Sequence, residues 1–170
     1  IPTLVVHTNH GPNGFGYAIR YGLERFQGDC VAIMMSDLSD DPADLVAFYR
    51  KMVAENLDCV FGSRFIRGGA TYDYPKHKYL INRFANTLIR LLLGMSYNDS
   101  TNAFKLYKKT TIQGLKPFLS AHFNLTIELP LKAIVDDAIA LGGCSVASSS
   151  VRRACCGSWR RSCPACSSRS

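Results

Sequence analysis

Residues 31–42 read Val-Ala-Ile-Met-Met-Ser-Asp-Leu-Ser-Asp-Asp-Pro, five apolar residues running straight into three carboxylates and a proline. A short unalternated apolar run closed by a turn signal matches a strand buried on both faces of a sheet, although periodicity alone leaves a buried helical segment open. Read as a strand over Cys30–Met35, the run places its carboxylates at the strand's carboxyl end. That is the edge at which open α/β sheets hold their ligands.

Working outward, Thr3–His7 reads as a β-branched strand, and the loop Asn9–Gly16 carries glycines that permit tight turns. A helix is expected over Tyr17–Phe26, and another after Asp41, an N-cap followed by proline in the first turn. Leu57–Phe61 is the next buried strand, closing on Gly62-Ser63-Arg64. Three βα units in succession imply an α/β fold with a parallel or mostly parallel, Rossmann-like sheet and helices on both faces. Further on, an amphipathic helix spans about 75–93, with Ile81, Phe84, Leu88 and Leu91 or Leu92 on one side and Lys76, Lys78, Arg83 and Arg90 elsewhere. A short strand is expected around Ala103–Leu106 and a last helix over Phe123–Ala140, with Pro130 in its first turns or kinking it.

The 170 residues, 47% hydrophobic, suit one domain with a real core. Arg90 interrupts the most apolar stretch, so neither a membrane span nor a signal peptide is supported. The net charge of +7 divides unevenly: residues 143–170 hold five Arg and no Lys, Asp or Glu, whereas residues 1–142 hold 15 basic and 13 acidic residues. The body is nearly neutral, which argues against a nucleic-acid groove. Cys30 and Cys59 lie in apolar runs and read as core residues; the other five cysteines crowd the tail, where Cys163 and Cys166 form a lone CxxC without a partner motif for zinc. With nine Ser, five Arg and five Cys and no periodicity, residues 143–170 read as a disordered tail, out of frame with the domain at 1–142.

The acidic loop has three readings: helix capping, a divalent-metal site, or recognition of a ribose hydroxyl. Asp41 satisfies capping, and Asp40 and Asp44 suit the helix dipole, which leaves Asp37 and Ser39 for a ligand. Oxygen donors of this kind suit Mg2+ or Mn2+ shared with substrate phosphates. Arg64, ending a strand on the same edge, suits bidentate phosphate contact or a surface salt bridge. Arg83 lies midway along the long helix, and Asp99 in a polar turn where an Asx-turn is the alternative role. The four histidines join no motif and are read as structural.

Six blocks in order, "NGFGYAIRYGL", "MSDLSDDPADLV", "FGSRFIRGG", "LINRFANTLIRLLLG", "YNDSTNAFKLYK" and "HFNLTIELPLKA", resemble the family 2 glycosyltransferases, in particular the dolichol-phosphate mannosyltransferase-like group. The resemblance covers roughly residues 1–135. It implies a GT-A fold, a GDP- or UDP-hexose donor, a divalent metal (Mg2+ or Mn2+), and inverting transfer to a polyprenyl phosphate at a membrane surface, on its cytosolic side. By position, Asp37 is then the second Asp of the family's DxD metal motif, and Ser39 a further metal-shell oxygen. Arg64 and Arg83 fall where basic residues meet donor or acceptor phosphates, Asn13 and Gly14 are donor-binding candidates, and Asp99 begins the D-x-x-x-x-F block.

Two departures accompany the resemblance. Met35 stands where the first Asp of DxD belongs, and the family's opening nucleotide-binding motifs precede position 1. The chain is therefore read as the middle of an enzyme, and an inactive fragment is the alternative outcome. A short-chain or extended NAD(P)-dependent dehydrogenase is the rival enzyme class, through Gly11-x-x-Gly14-x-Gly16, Asp37 and Tyr74-x-x-x-Lys78. The spacing disfavours it, since Tyr74 follows Asp37 too soon for the two further βα units that class requires.

Overall fold

The computed structural model describes residues 5–37, 39–71, 75–94, 97–137 and 143–151. Its elements are α1 (Phe15–Leu23), β1 (Cys30–Ile33), α2 (Pro42–Ala54), β2 (Cys59–Ser63), β3 (Ala70–Thr71), α3 (Lys76–Leu93), β4 (Lys105–Lys108), α4 (Lys109–Gly114), α5 (Leu125–Asp137), β5 (Cys144–Ser148) and β6 (Ser150–Val151). The main sheet has the order β1-β4-β2-β5, with β4 antiparallel to both neighbours and β5 parallel to β2. Strands β1, β2 and β5 thus point one way, and β4, the short strand expected two residues earlier, inserts between them in the opposite sense. The sheet is mixed in pairing because β4 arrives from a turn at the carboxyl ends of β1 and β2.

Strand alternation divides the core. Ile33, Cys59, Phe61 and Tyr107 face one side and pack with Leu23, Ile112, Leu125, Leu129 and Ala133, covered by α1, α4 and α5. Val60 and Leu106 face the other and pack with Phe48 and Met52 of α2. Helix α2 begins as the sequence predicts: the Asp41 carboxylate accepts from the Ala43 N–H at 2.9 Å, with Pro42 opening the helix. Such a cap stabilises by about 1 kcal/mol.

Four expectations change. Val5–His7 carries no strand and is exposed, while Thr3 and Leu4 lie outside the described residues. The strand at 30–35 ends at Ile33, so Met34 and Met35 belong to its exit. Residues 143–151, read as the start of a disordered tail, instead supply β5 and β6; β5 aligns beside β2, and Cys144 is joined to Cys59 as a disulfide. A run of small β-compatible residues, Cys-Ser-Val-Ala-Ser, is enough for a strand when a buried neighbour supplies the ladder, and its Ser-rich composition hid that. Residues 152–170 lie outside the described residues. Finally, the apolar stripe of α3 turns away from both halves of the core: Phe84 and Leu91 are 70% and 74% exposed, whereas Asn86 is the helix's buried residue.

Candidate functional site

Because β1 and β2 both run antiparallel to β4, their carboxyl ends and the start of β4 meet at one edge of the sheet. Lys105, the first residue of β4, is in register with both Ile33 and Phe61. Asp37 follows β1, Arg64 follows β2 and Asp99 precedes β4, so chain direction alone gathers residues that are distant in sequence.

Arg64 and Asp99 form the centre of this edge. The Asp99 carboxylate accepts from the Arg64 backbone N–H at 2.9 Å, from Nε at 2.8 Å and from Nη2 at 2.6 Å. The two side chains are 9% and 0% exposed. Of the two roles open to Arg64, the fork here makes an ion pair, buried rather than at the surface, and of those open to Asp99 the carboxylate bonds Arg64 rather than closing an Asx-turn. The turn holding Asp99 is sewn to the end of β2. Tyr97 Oη and Asn102 Nδ2 donate to the Gly62 carbonyl at 3.0 and 2.9 Å, and Ser63 Oγ bonds Asn98 Oδ1 at 2.7 Å.

Lys105 closes the turn from below and is a residue that the sequence reading passed over. Fully buried, its ammonium donates to the carbonyls of Ser100 (3.3 Å), Asn102 and Thr126 (2.9 Å). The Thr126 carbonyl is available for a physical reason. Its helical partner four residues on is Pro130, which has no N–H to donate. Pro130 therefore opens an acceptor in α5 that Lys105 fills. Burial pulls the ammonium's pKa down to about 7, opposed by the nearby Asp99 carboxylate and reinforced by the Arg64 charge.

At the exit of β1, Asp37 is exposed, and its Oδ1 accepts from the Ser39 N–H at 3.0 Å. Ser39 itself is buried, so it acts on Asp37 through its backbone. Asp40, assigned to the helix dipole from sequence, is instead 6% exposed and accepts from the Met35 N–H at 3.0 Å. Burial raises its pKa, with the Met35 hydrogen bond opposing and the Asp37 charge adding to the rise. Its cap-like position gave no signal of this. Among the described residues no three His, Cys, Asp or Glu side chains gather to hold a metal ion. Mg2+ is commonly held through one or two carboxylates together with substrate phosphates. The donor set here, one exposed carboxylate, fits a cation that arrives with a diphosphate and does not fit one caged by protein alone.

Arg83 is exposed on α3, yet its guanidinium carbon lies 5.0 Å from the centroid of the Phe65 ring, which Arg64 also approaches at 5.2 Å and Tyr79 meets edge-on at 5.5 Å. Asn86 donates through Nδ2 to Thr101 Oγ1 at 3.0 Å and accepts through Oδ1 from the Thr101 N–H at 3.2 Å, tying α3 to the Asp99 turn. Asn13 is exposed beside Gly14. A Cβ on Gly14 or Gly16 would meet the Ala121 carbonyl oxygen at 2.8 or 2.7 Å. The close approach that these glycines permit is therefore to the chain's own 120–122 loop, and the dinucleotide-loop reading loses its main support. Tyr74 of that reading lies outside the described residues.

The model of the glycosyl transferase family 2 matches residues 2–115, more than half of the chain. The polyprenol monophosphomannose synthase of Mycolicibacterium smegmatis is 28% identical over 138 residues, 76% of this chain and 51% of that protein. The undecaprenyl-phosphate mannosyltransferase of Micrococcus luteus is 28% identical over 96 residues, 56% of this chain and 38% of that protein. The chain thus spans about half or less of the length of these relatives. Glucosyl-3-phosphoglycerate synthase of Mycobacterium tuberculosis, solved with Mn2+ and uridine-diphosphate-glucose, superposes with a TM-score of 0.59 at 16% identity, covering 88% of this chain and 49% of that one. That likeness shows a shared fold, the GT-A fold. The family match takes in β1, β2, β4 and the whole edge from Asp37 to Lys105, and on it the chain belongs to the family 2 glycosyltransferases.

Proposed function

We propose that the protein transfers a hexose, with inversion, from a nucleotide-diphosphate sugar to a polyprenyl phosphate. The observation that carries the reading is the convergence on one sheet edge of an exposed carboxylate, Asp37, with a rigid buried Arg64–Asp99 pair and an exposed arginine, Arg83, held beside it by Phe65. The relatives named for polyprenol and undecaprenyl-phosphate substrates point to the acceptor class.

The chemistry asks little proton transfer of the protein. A phosphate acceptor is ionised at neutral pH, so its oxygen attacks the anomeric carbon directly while the bond to the diphosphate breaks and its electron pair leaves with the nucleotide. The chain's task is positioning and charge stabilisation. Asp37 would hold a divalent cation, which when bound neutralises charge on the departing diphosphate. Ser39 fixes the Asp37 carboxylate through its N–H. Arg83 is placed to meet a phosphate, and Arg64 lends its charge while Asp99 fixes its orientation. The identity of the sugar and of the base belongs to the same proposal: GDP-mannose and UDP-glucose are the donors to compare.

The test supplies the full-length protein with radiolabelled GDP-mannose or UDP-glucose, Mn2+, and either undecaprenyl phosphate or 3-phosphoglycerate. Label in the organic extract with undecaprenyl phosphate alone is expected. Label confined to the aqueous phosphoglycerate product would overturn the acceptor class.

A further inference from the structure

Lys105 is a cation buried at the start of β4, and the transfer chemistry has so far given it no role. A lysine ammonium has three N–H groups, and the fold meets them with three carbonyls: Ser100 at 3.3 Å, Asn102, and Thr126 at 2.9 Å. Ser100 and Asn102 lie in the turn that carries Asp99, whereas Thr126 lies in α5. One side chain therefore ties the turn to the helix. Asp99 in its turn aims Arg64, accepting from Nε at 2.8 Å and from Nη2 at 2.6 Å. The contacts run without a break from the Thr126 carbonyl, left open by Pro130, to the guanidinium at the exit of β2.

We infer that Lys105 is a positioning residue for the transfer reaction: its ammonium locks the Asp99 turn to the acceptor that Pro130 opens in α5, and loss of one proton frees a carbonyl and with it the aim of Arg64. The neutral amine has two N–H groups for three carbonyls, so one buried acceptor goes unmet. Among the groups facing Lys105, the Asp99 carboxylate favours the ammonium and the Arg64 guanidinium opposes it. Tyr97 offers its ring at 5.8 Å, and burial pushes the ionisation of its own hydroxyl well above the usual value. Burial is the largest influence on Lys105 and brings its pKa down to about 7, so the proton is lost near neutrality. The unfolded side chain titrates near 10.4, and between these limits the fold gains stability as pH rises. A fall in transfer over the same window has the opposite sign, and unfolding cannot produce it. The inference rests on the transferase reading, since it gives Lys105 a part in that reaction.

The test follows transfer by the full-length protein between about pH 6 and 9, with Mg2+, labelled GDP-mannose or UDP-glucose, and undecaprenyl phosphate or 3-phosphoglycerate, alongside urea melts at each pH. In the wild type kcat should fall about tenfold or more above pH 7 with little change in donor KM, while the urea midpoint does not fall. Lys105→Arg stays charged throughout, so its alkaline fall should disappear. Pro130→Ala returns to α5 an N–H that competes for the Thr126 carbonyl. It should hold or raise the urea midpoint, yet move the alkaline fall to lower pH by about half a unit or more. Should Lys105→Arg not fold, Pro130→Ala carries the test alone. No alkaline fall in the wild type, a fall that the folded variants leave unchanged, or a Pro130→Ala that loses transfer and midpoint together would overturn the inference. Absence of transfer at every pH would defeat the transferase reading instead, and hydrogen exchange would then judge the lock. Protection of residues 97–104, corrected for base catalysis, should fall with pH in the wild type and hold in Lys105→Arg; protection that ignores pH in the wild type would sink it.

Discussion

Removing Asp99 should cost more stability than removing any exposed charge in the chain. Asp99→Ala deletes three hydrogen bonds from Arg64 and leaves a guanidinium that is 9% exposed without its counter-charge. Breaking a buried pair from one side typically costs about 3–5 kcal/mol, a large fraction of the roughly 5–15 kcal/mol that holds a domain folded. With a urea slope of about 1–3 kcal/mol per molar, the midpoint should fall by one molar or more. Because the Asp99 carboxylate is what the Arg64 fork engages, Arg64→Leu introduced into Asp99→Ala should cost less than Arg64→Leu alone. A double-mutant cycle followed by circular dichroism in urea should yield a coupling of about 2 kcal/mol or more. Additivity to within about 0.5 kcal/mol would show that the pair does not organise this edge.

Three further outcomes follow from named groups. Lys105 has its folded pKa pulled to about 7, below the unfolded value near 10.4, so between these limits the unfolded chain binds more protons. Stability should therefore rise with pH across that window, by up to about 1.4 kcal/mol per unit, and Lys105→Met should flatten the rise in urea melts taken from pH 7 to 10. Glu128 anchors the 118–122 loop by accepting from the Leu119 and Ser120 N–H groups at 2.8 and 2.7 Å. Burial opposes its ionisation, but hydrogen bonds from Lys132, Ser120 and Leu119 prevail and hold it at about 2. Its contribution is present above the unfolded carboxyl value and is lost as pH falls toward 2, so Glu128→Gln should destabilise by about 1–2 kcal/mol at pH 6 and by little at pH 2. Met35→Asp should add the carboxylate missing beside Asp37 and let Mn2+ bind without a nucleotide, read by electron paramagnetic resonance; unchanged free-ion spectra would mean that residue 35 does not face the cation.

Much of this architecture was legible because buried strands and helix starts leave local marks. The apolar run before Asp37, the Asp41-Pro42 cap and the Gly62-Ser63-Arg64 exit each declare an element without help from the rest of the chain. The edge at which Asp37, Arg64 and Asp99 meet follows from strand direction, and their order in the six blocks pointed to it. What was not legible depends on pairing and burial. That Arg64 spends its fork on Asp99 is decided across 35 residues by a turn whose polar composition is equally compatible with solvent. Asp40 sits where a helix dipole already explains an acid, so nothing local marks it as buried. Lys105 did leave a mark, a cation within an apolar strand, but the matching acceptor at Thr126 exists only because Pro130 cannot donate. The outward stripe of α3 was hidden by the ordinary rule that apolar faces turn inward, which the sequence obeys in pattern and the fold reverses in direction. The Ser-rich β5 lacks a strand's composition and takes its order from β2.

The central claim is that Asp37 meets the donor diphosphate through a divalent cation at the exit of β1, beside a fixed Arg64–Asp99 pair. Isothermal titration of the full-length protein with GDP-mannose and UDP-glucose, each with and without Mn2+, for wild type and for Asp37→Asn, addresses it directly. Mn2+ should strengthen wild-type binding of one donor by about tenfold or more and leave the variant unaffected, a difference of about 1.4 kcal/mol or more. An equal Mn2+ effect in both proteins, with the variant's fold intact by circular dichroism, would place the cation elsewhere and contradict the claim.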